Sequence, residues 1–237
     1  MNIPLETMLA LGRRGPLTAR PSAASGIYDE LRQRILSLEL PPGTNLLRAE
    51  LAKQFEVSIT PLRDALQKLE ADRLVKIYPQ SRTVVTRIDT DLVHEGHFLR
   101  LSLETEVVRR LAAADAVETV RHARSIIDIQ SSIGDDYSQL RLFQQLDEHF
   151  HRTLFQGIDQ IALHDLIRTR GGHLDRVRRL QRHSPKKIRA IMEGHRQIVD
   201  AIEAQDADAA MSGIRTHLHK SPDWIDEIRD QHRDYFV

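Results

Sequence analysis

In the stretch LFQQLDEHFHRTLF, Asp147 and His151 stand four residues apart, a spacing that puts a carboxylate and an imidazole on one side of a helix. Phe143, Phe150 and Leu154 mark the inward face of that helix. Two further histidines sit on apolar stripes, His195 ahead of Ile198, Val199 and Ile202, and His217 behind Ala210, Met211 and Ile214. The chain of 237 residues has no cysteine, so any transition metal must be held by imidazole and carboxylate. Asp147, His151, His195 and His217, converging among helices, suit zinc first, with nickel or manganese as alternatives, and leave coordination positions open. Taken singly, each histidine reads as a hydrogen-bonded core residue. Their conjunction points to a metal.

A second set lies near the other end. Ser58 and Thr60 open a short helix and offer hydroxyls and backbone amides to a phosphate, Pro61 suits the first helical turn, and Arg63 projects one turn on towards bases or phosphate. Arg48 opens the helix before it and could clamp the flanking backbone. The plain alternative is an N-cap and a solvated charge, and the pattern alone leaves both open.

The elements that must carry these residues can be read from periodicity. Ile27, Leu31, Ile35 and Leu38 form one helical stripe that ends at Pro41-Pro42-Gly43. Leu47, Leu51, Ala52 and Phe55 form a second, broken at Glu56-Val57-Ser58; Leu62, Ala65, Leu66 and Leu69 form a third. Strands are expected over Leu74 to Tyr78 and Thr83 to Arg87 around the turn Pro79-Gln80-Ser81-Arg82. Beyond Asp91 the chain reads as helix, with loops near Gly134-Asp135-Asp136, Gly157 to Gln160, Ser184-Pro185 and Gln205-Asp206. Three helices and a hairpin, the last two helices tightly joined, are the order of a winged helix-turn-helix. The expected fold is thus mainly α: an arm over residues 1–24, a winged helix-turn-helix over 25–90, and an all-α bundle over 91–237 that binds metal and effector and forms a dimer.

Composition narrows the class. With 41% apolar and 29% charged residues the chain reads as globular, and no apolar run reaches the length of a membrane span, so a cytoplasmic protein is expected. Net charge is zero, yet Lys and Arg outnumber Asp and Glu by 13 to 10 through Asp89 and are outnumbered 24 to 21 after it. The split hints at two units with different partners.

Residues Ile27 to Val85 resemble the DNA-binding domain of the GntR family, carried by Pro42-Gly43, Arg48 with Leu51-Ala52, and Val57-Ser58 followed by Thr60-Pro61-Leu62-Arg63 and Ala65-Leu66. The resemblance implies that Arg48, Ser58, Thr60 and Arg63 contact operator DNA and that the wing at Ser81-Arg82 reaches the minor groove. Two positions depart from the family pattern: Ile59 stands where many relatives carry a guanine-reading arginine, and Arg82 replaces a glycine. His94 to Asp230 resemble the FCD ligand-binding domain of the FadR subfamily, whose D-x3-H pattern and two later histidines fall on Asp147, His151, His195 and His217. His149, His164, His173, His183 and His219 fall elsewhere and are expected at the surface or in packing. An R-x3-E pair, Arg100 with Glu104, matches the subfamily's effector arginine, a guanidinium fork for a small carboxylate. The same pair could equally be an ordinary helix salt bridge. The run from His173 to His183 could line the cavity, although a solvated basic face is the simpler reading.

A metal-dependent hydrolase is the rival class, but no H-E-x-x-H base, G-x-S-x-G turn or phosphate loop accompanies the ligands. A purely structural metal serving dimerisation is a third reading. The expectation is therefore no enzyme but a homodimeric, metabolite-responsive repressor that leaves double-stranded operator DNA when a small carboxylate binds.

Overall fold

The computed structural model describes residues 22–133, 139–181, 184–219 and 224–237. The N-terminal arm up to residue 21 and the loop expected at Gly134-Asp135-Asp136 lie outside them.

Among the described residues three helices come first: α1 (Ala23–Leu36), α2 (Arg48–Gln54) and α3 (Ile59–Ala71). The Ser22 side chain starts α1 by accepting a hydrogen bond from Ser25 N, and Ile27, Leu31 and Ile35 turn its apolar stripe inward. The stripe was expected to reach Leu38, but the helix stops at Leu36 and Leu38 adopts φ 64°. There the N–H groups of Leu38 and Leu40 satisfy the carbonyls of Ile35 and Arg34 that the helix leaves free. Gly43 takes φ 87°, a region that favours glycine, and this brings its N–H to Val85 O at 2.9 Å.

The hairpin β1 (Val75–Ile77) and β2 (Thr83–Val85) pairs antiparallel with Val75 opposite Val85 and Ile77 opposite Thr83. Both strands are shorter than the apolar runs suggested, although beyond their ends Thr86 N still donates to Leu74 O at 3.0 Å and Tyr78 N to Arg82 O at 2.8 Å. Leu31, Leu62, Leu66, Leu69, Leu74 and Val85 close a core drawn only from residues 27 to 85. Burying one such leucine stabilises the unit by roughly 1.5–3 kcal/mol.

Asp89 then caps a long helix, α4 (Thr90–Ala112), by accepting from Asp91 N at 2.9 Å. Helices α5 (Val117–Ile133), α6 (Leu140–Gln156), α7 (Ile161–Arg170), α8 (Gly172–Leu180), α9 (Pro185–Glu203), α10 (Ala207–Leu218) and α11 (Trp224–Gln231) complete the bundle. Ser184 and Asp206 cap α9 and α10 through their side chains, with Pro185 in the first turn of α9, at the loops read from sequence. The break between α7 and α8, at Gly171-Gly172, was not expected. α4 packs on α10, α10 on α9, and α5 on α6 and α9, around Val108, Leu111, Phe150, Leu154, Ile198 and Ile214.

The C-terminus returns to the junction between the two units. Ile88 N donates to Tyr235 O at 2.7 Å and Val237 N to Ile88 O at 3.0 Å. A separate core of Ile88, Val93, Leu174, Val177, Trp224 and Phe236 covers this connection. No helix among the described residues is long and apolar enough to cross a membrane.

Candidate metal centre and nucleic-acid interface

Helix α6 has apolar residues at 143, 146, 150 and 154, which fixes its buried face and carries Asp147 and His151 inward with it. α9 presents His195 from its own buried stripe, and α10 presents His217. The four side chains each bring one donor atom to a point where all donors lie within 4.8 Å of one another. Asp147, His151 and His195 are buried, and His217 is partly so. Phe150 stacks on the His195 ring with centroids 3.8 Å apart, which holds that ring flat against α6.

The outer nitrogens of two rings have partners of their own. His151 Nδ1 lies 2.6 Å from Glu104 Oε2, and His195 Nδ1 lies 3.1 Å from Gln130 Oε1. With the proton on Nδ1 of each ring, beside these oxygens, the Nε2 lone pairs face inward. There His195 Nε2, buried and without a hydrogen-bond partner, sits 3.4 Å from Asp147 Oδ1, and His151 Nε2 sits 3.3 Å from His217 Nε2. Inward lone pairs beside a carboxylate fit a divalent cation, and an all-nitrogen-and-oxygen donor set fits zinc, nickel or manganese.

Electrostatics agree. Burial lowers the pKa of His195, and burial together with the neighbouring His195 and His151 holds His217 well below its ordinary value, so both are neutral ligands near pH 7. For Asp147 burial acts upward, but contact with His195 and the charges of Arg178 and His151 outweigh it and keep the carboxyl well below the usual range. Arg178 Nη2 donates to Asp147 Oδ2 at 2.8 Å.

A cavity of about 1020 Å³ opens beside this cluster, and Asp147, His217, Arg100 and Arg178 line it. Arg100 is buried and its Nε donates to Glu104 Oε1 at 2.6 Å. Arg100 is therefore both a partner in the helix ion pair and part of the cavity wall, and Glu104 bridges Arg100 to His151. Sequence reasoning took Glu104 only as the partner of Arg100, passed over Gln130, and preferred a solvated face for the run from His173 to His183, of which Leu174, Asp175, Arg178, Arg179 and Gln181 line the cavity. Gln130 had a readable signal, since it stands on the buried stripe of α5 with Ile126, Ile127 and Ile133.

Of the other histidines, His149 is half-buried and His219 exposed, while His183 lies outside the described residues. His164 is buried 3.2 Å from Glu148 Oε1. His173 and Arg176, on α8, hold the junction. His173 Nδ1 accepts from Asp89 N at 3.0 Å and its Nε2 lies 3.1 Å from Arg73 O, while Arg176 Nη1 donates to Thr86 O at 2.6 Å. Arg176 is fully buried, and burial lowers its pKa to about 10.

At the opposite end of the chain, α3 begins at Ile59 with Ser58 in the cap position. No side-chain capping bond forms, so the Ser58 hydroxyl is uncommitted to its own helix. Ser58, Ile59, Thr60 and Arg63 are all exposed on one end of α3. Arg63 reaches only Asp64, at 3.9 Å. Arg82 is exposed on the wing, its guanidinium 5.2 Å from the Tyr78 ring centre. Arg48 differs: its Nε and Nη2 donate to Thr83 Oγ1 at 3.3 and 3.2 Å, tying α2 to the wing.

Residues 23–85 match the family described as bacterial regulatory proteins, gntR family, and residues 95–220 match the FCD domain. A regulator of Streptomyces ambofaciens named for an unstable DNA locus is 33% identical over 89% of this chain and 88% of its own length. The HTH-type transcriptional repressor RspR of Escherichia coli K12 is 31% identical over 89% of this chain and 92% of its own. Among solved structures, McbR/YncC of E. coli has a TM-score of 0.72 at 17% identity, covering 89% of this chain and 99% of that one. A GntR regulator from Rhodococcus sp. RHA1 has a TM-score of 0.69 at 21% identity, covering 88% and 98%. These two structures carry the same fold of winged helix-turn-helix and helical bundle. The chain belongs to the gntR family of bacterial regulatory proteins, with an FCD domain behind its helix-turn-helix, and is a transcription regulator and not an enzyme.

Proposed function

We propose that this regulator is a homodimeric repressor that binds a divalent transition metal, zinc first, through Asp147, His151, His195 and His217, and leaves its operator when a small carboxylate enters the adjoining cavity. The observation that carries the proposal is the set of inward Nε2 lone pairs beside a buried carboxylate, opening on a cavity of about 1020 Å³. When bound there, the metal supplies Lewis-acid positions for a carboxylate oxygen. Arg100, with Nε engaged by Glu104, offers its remaining N–H groups to the same ligand. Ser58, Thr60 and Arg63 face the major groove and its phosphates, Arg48 reaches the flanking backbone from its place against the wing, and Arg82 enters the minor groove. A symmetric dimer presents two such helices to a pseudo-palindromic operator.

Helix α8 supplies the route between cavity and DNA. Arg178 on one face holds Asp147, and His173 and Arg176 on the other hold Asp89, Arg73 and Thr86 of the junction. An effector that competes for Arg178 favours a different seat for α8, and with it a different placement of the DNA-reading unit. Operator affinity falls by the difference in effector affinity between the two arrangements.

The test is elemental analysis of the purified protein against an Asp147→Ala/His217→Ala variant, followed by operator retention with and without small carboxylates. About one metal per chain, lost in the variant, together with carboxylate-induced release only in the wild type, is the expected outcome. Absence of metal after reconstitution removes the proposal. Tight metal that no carboxylate perturbs leaves a structural ion serving dimerisation.

A further inference from the structure

We propose that the effector carries a second anionic group and that Arg141, Arg179 and Lys187 hold it. The inference deepens the reading above and rests on it: one carboxylate goes to the Asp147 cluster, and the other anion lies further along the same cavity.

Three helices bring cations to that cavity. Arg141 comes from α6, Arg178 and Arg179 from α8, and Lys187 from α9, all lining it together with Asp147. Arg178 is paired with Asp147 at 2.8 Å. Among the described residues, Arg141, Arg179 and Lys187 have no carboxylate within ion-pair distance, and Lys187 Nζ donates only to the neutral Gln181 amide oxygen at 2.6 Å. The rest of the bundle treats its cations differently. Arg109, Arg121 and Arg229 each sit three residues after an acid and pair with it at 2.5–2.8 Å. α8 places Arg178 and Arg179 side by side, with the single Asp175 four residues or fewer before them.

Arg179 and Lys187 are half-buried and Arg141 is exposed at the rim; a half-buried cation beside another cation is costly unless an anion joins them. Burial, then Arg141, lowers the pKa of Arg179; burial, then Arg178, lowers that of Lys187. Arg179 and Lys187 thus each feel a like charge, which for Arg179 outweighs the opposing charge of Asp175. A carboxylate or phosphate at this wall would receive charge-assisted hydrogen bonds from cations that each stand beside another cation, and would relieve that repulsion. A monoanion held at the Asp147 cluster leaves the repulsion in place, so selectivity for a dianion follows.

The test is isothermal titration of the full-length protein at constant ionic strength, with metal content measured on the same sample. Two matched pairs serve as probes: lactate against malate, and glycerate against phosphoglycerate. In each pair the probe with the second anionic group, malate or phosphoglycerate, is expected to bind about tenfold tighter or more, the scale of one hydrogen bond to a charged group. Arg141→Gln/Arg179→Gln should bring malate and phosphoglycerate to the affinity of lactate and glycerate and leave metal content unchanged, while Arg141→Lys/Arg179→Lys retains the preference. The malate and phosphoglycerate arms distinguish carboxylate from phosphate. Equal affinity within both pairs, no binding by any probe, or a preference that survives the Gln variant overturns the proposal. Metal without dianion preference removes the second subsite alone, and dianion preference without metal leaves this subsite standing while removing the metal reading.

Discussion

Gly194 shows how tightly single atoms constrain the cluster. A Cβ added at this position would lie 2.7 Å from His217 Nδ1 and 3.4 Å from its Cβ. An imidazole can yield only by rotating or shifting, and either motion takes Nε2 away from the other donors. Gly194→Ala is therefore expected to leave all four ligands present yet weaken metal binding, by about tenfold on the scale found when a ligand's supporting contacts are changed. Competition with a chelator measures this, and thermal melting of the metal-free protein should move little. Unchanged affinity would mean that His217 is not held at the ion. Residue identity and the four-residue spacing made Asp147 and His151 legible from sequence. Glu104 and Gln130 were not legible as the partners of His151 and His195, because they lie on helices distant in sequence and meet the rings only after packing.

At the scale of elements, α3 and α8 have opposite designs. The N-terminal end of α3 keeps Ser58, Thr60 and Arg63 exposed and nearly free of internal partners, as a surface awaiting a polyanion should. Arg63→Ala is expected to abolish operator retention while fold and metal content persist, since the side chain packs against nothing internal that its loss would disturb. A gel-shift assay beside a melting curve checks this, and sequence-specific binding by the variant would refute the assignment. Ile59 is 52% exposed at the same end, an apolar side chain suited to a thymine methyl and not to guanine. α8 instead spends its polar groups inside the molecule. Its sequence, GHLDRVRRL, reads as a basic surface helix, yet His173 and Arg176 are buried against the junction. Nothing local could announce this, because the burial comes from Thr86, Asp89 and Arg73, some 80 to 100 residues away along the chain.

For the whole molecule, the two units meet at a contact in which His173 bonds Asp89 and lies against Arg73, and that contact is expected to be sensitive to pH. Burial, and then the charge of Arg176, lowers the pKa of His173 from 6.5 to about 4. Between those values the unfolded or separated state takes up a proton that the docked state refuses, so the stabilisation is complete above about pH 6.5 and is lost as pH falls through 4. The ceiling is on the order of 3 kcal/mol. Melting of the wild type is expected to decline across that window more steeply than that of His173→Gln; parallel profiles would show that His173 does not couple the units. By itself the sequence determined the two kinds of unit, the helical order, the hairpin and the identity of the chemically competent side chains, because periodicity, caps and turn residues act over a few positions. Only the tertiary structure decided that four donors from three helices share one point, that Arg100 is committed to Glu104, and that α8 joins the cavity to the DNA-reading unit. Those facts depend on how helices pack across long stretches of chain, and the burial that packing creates sets each side chain's partner, tautomer and charge.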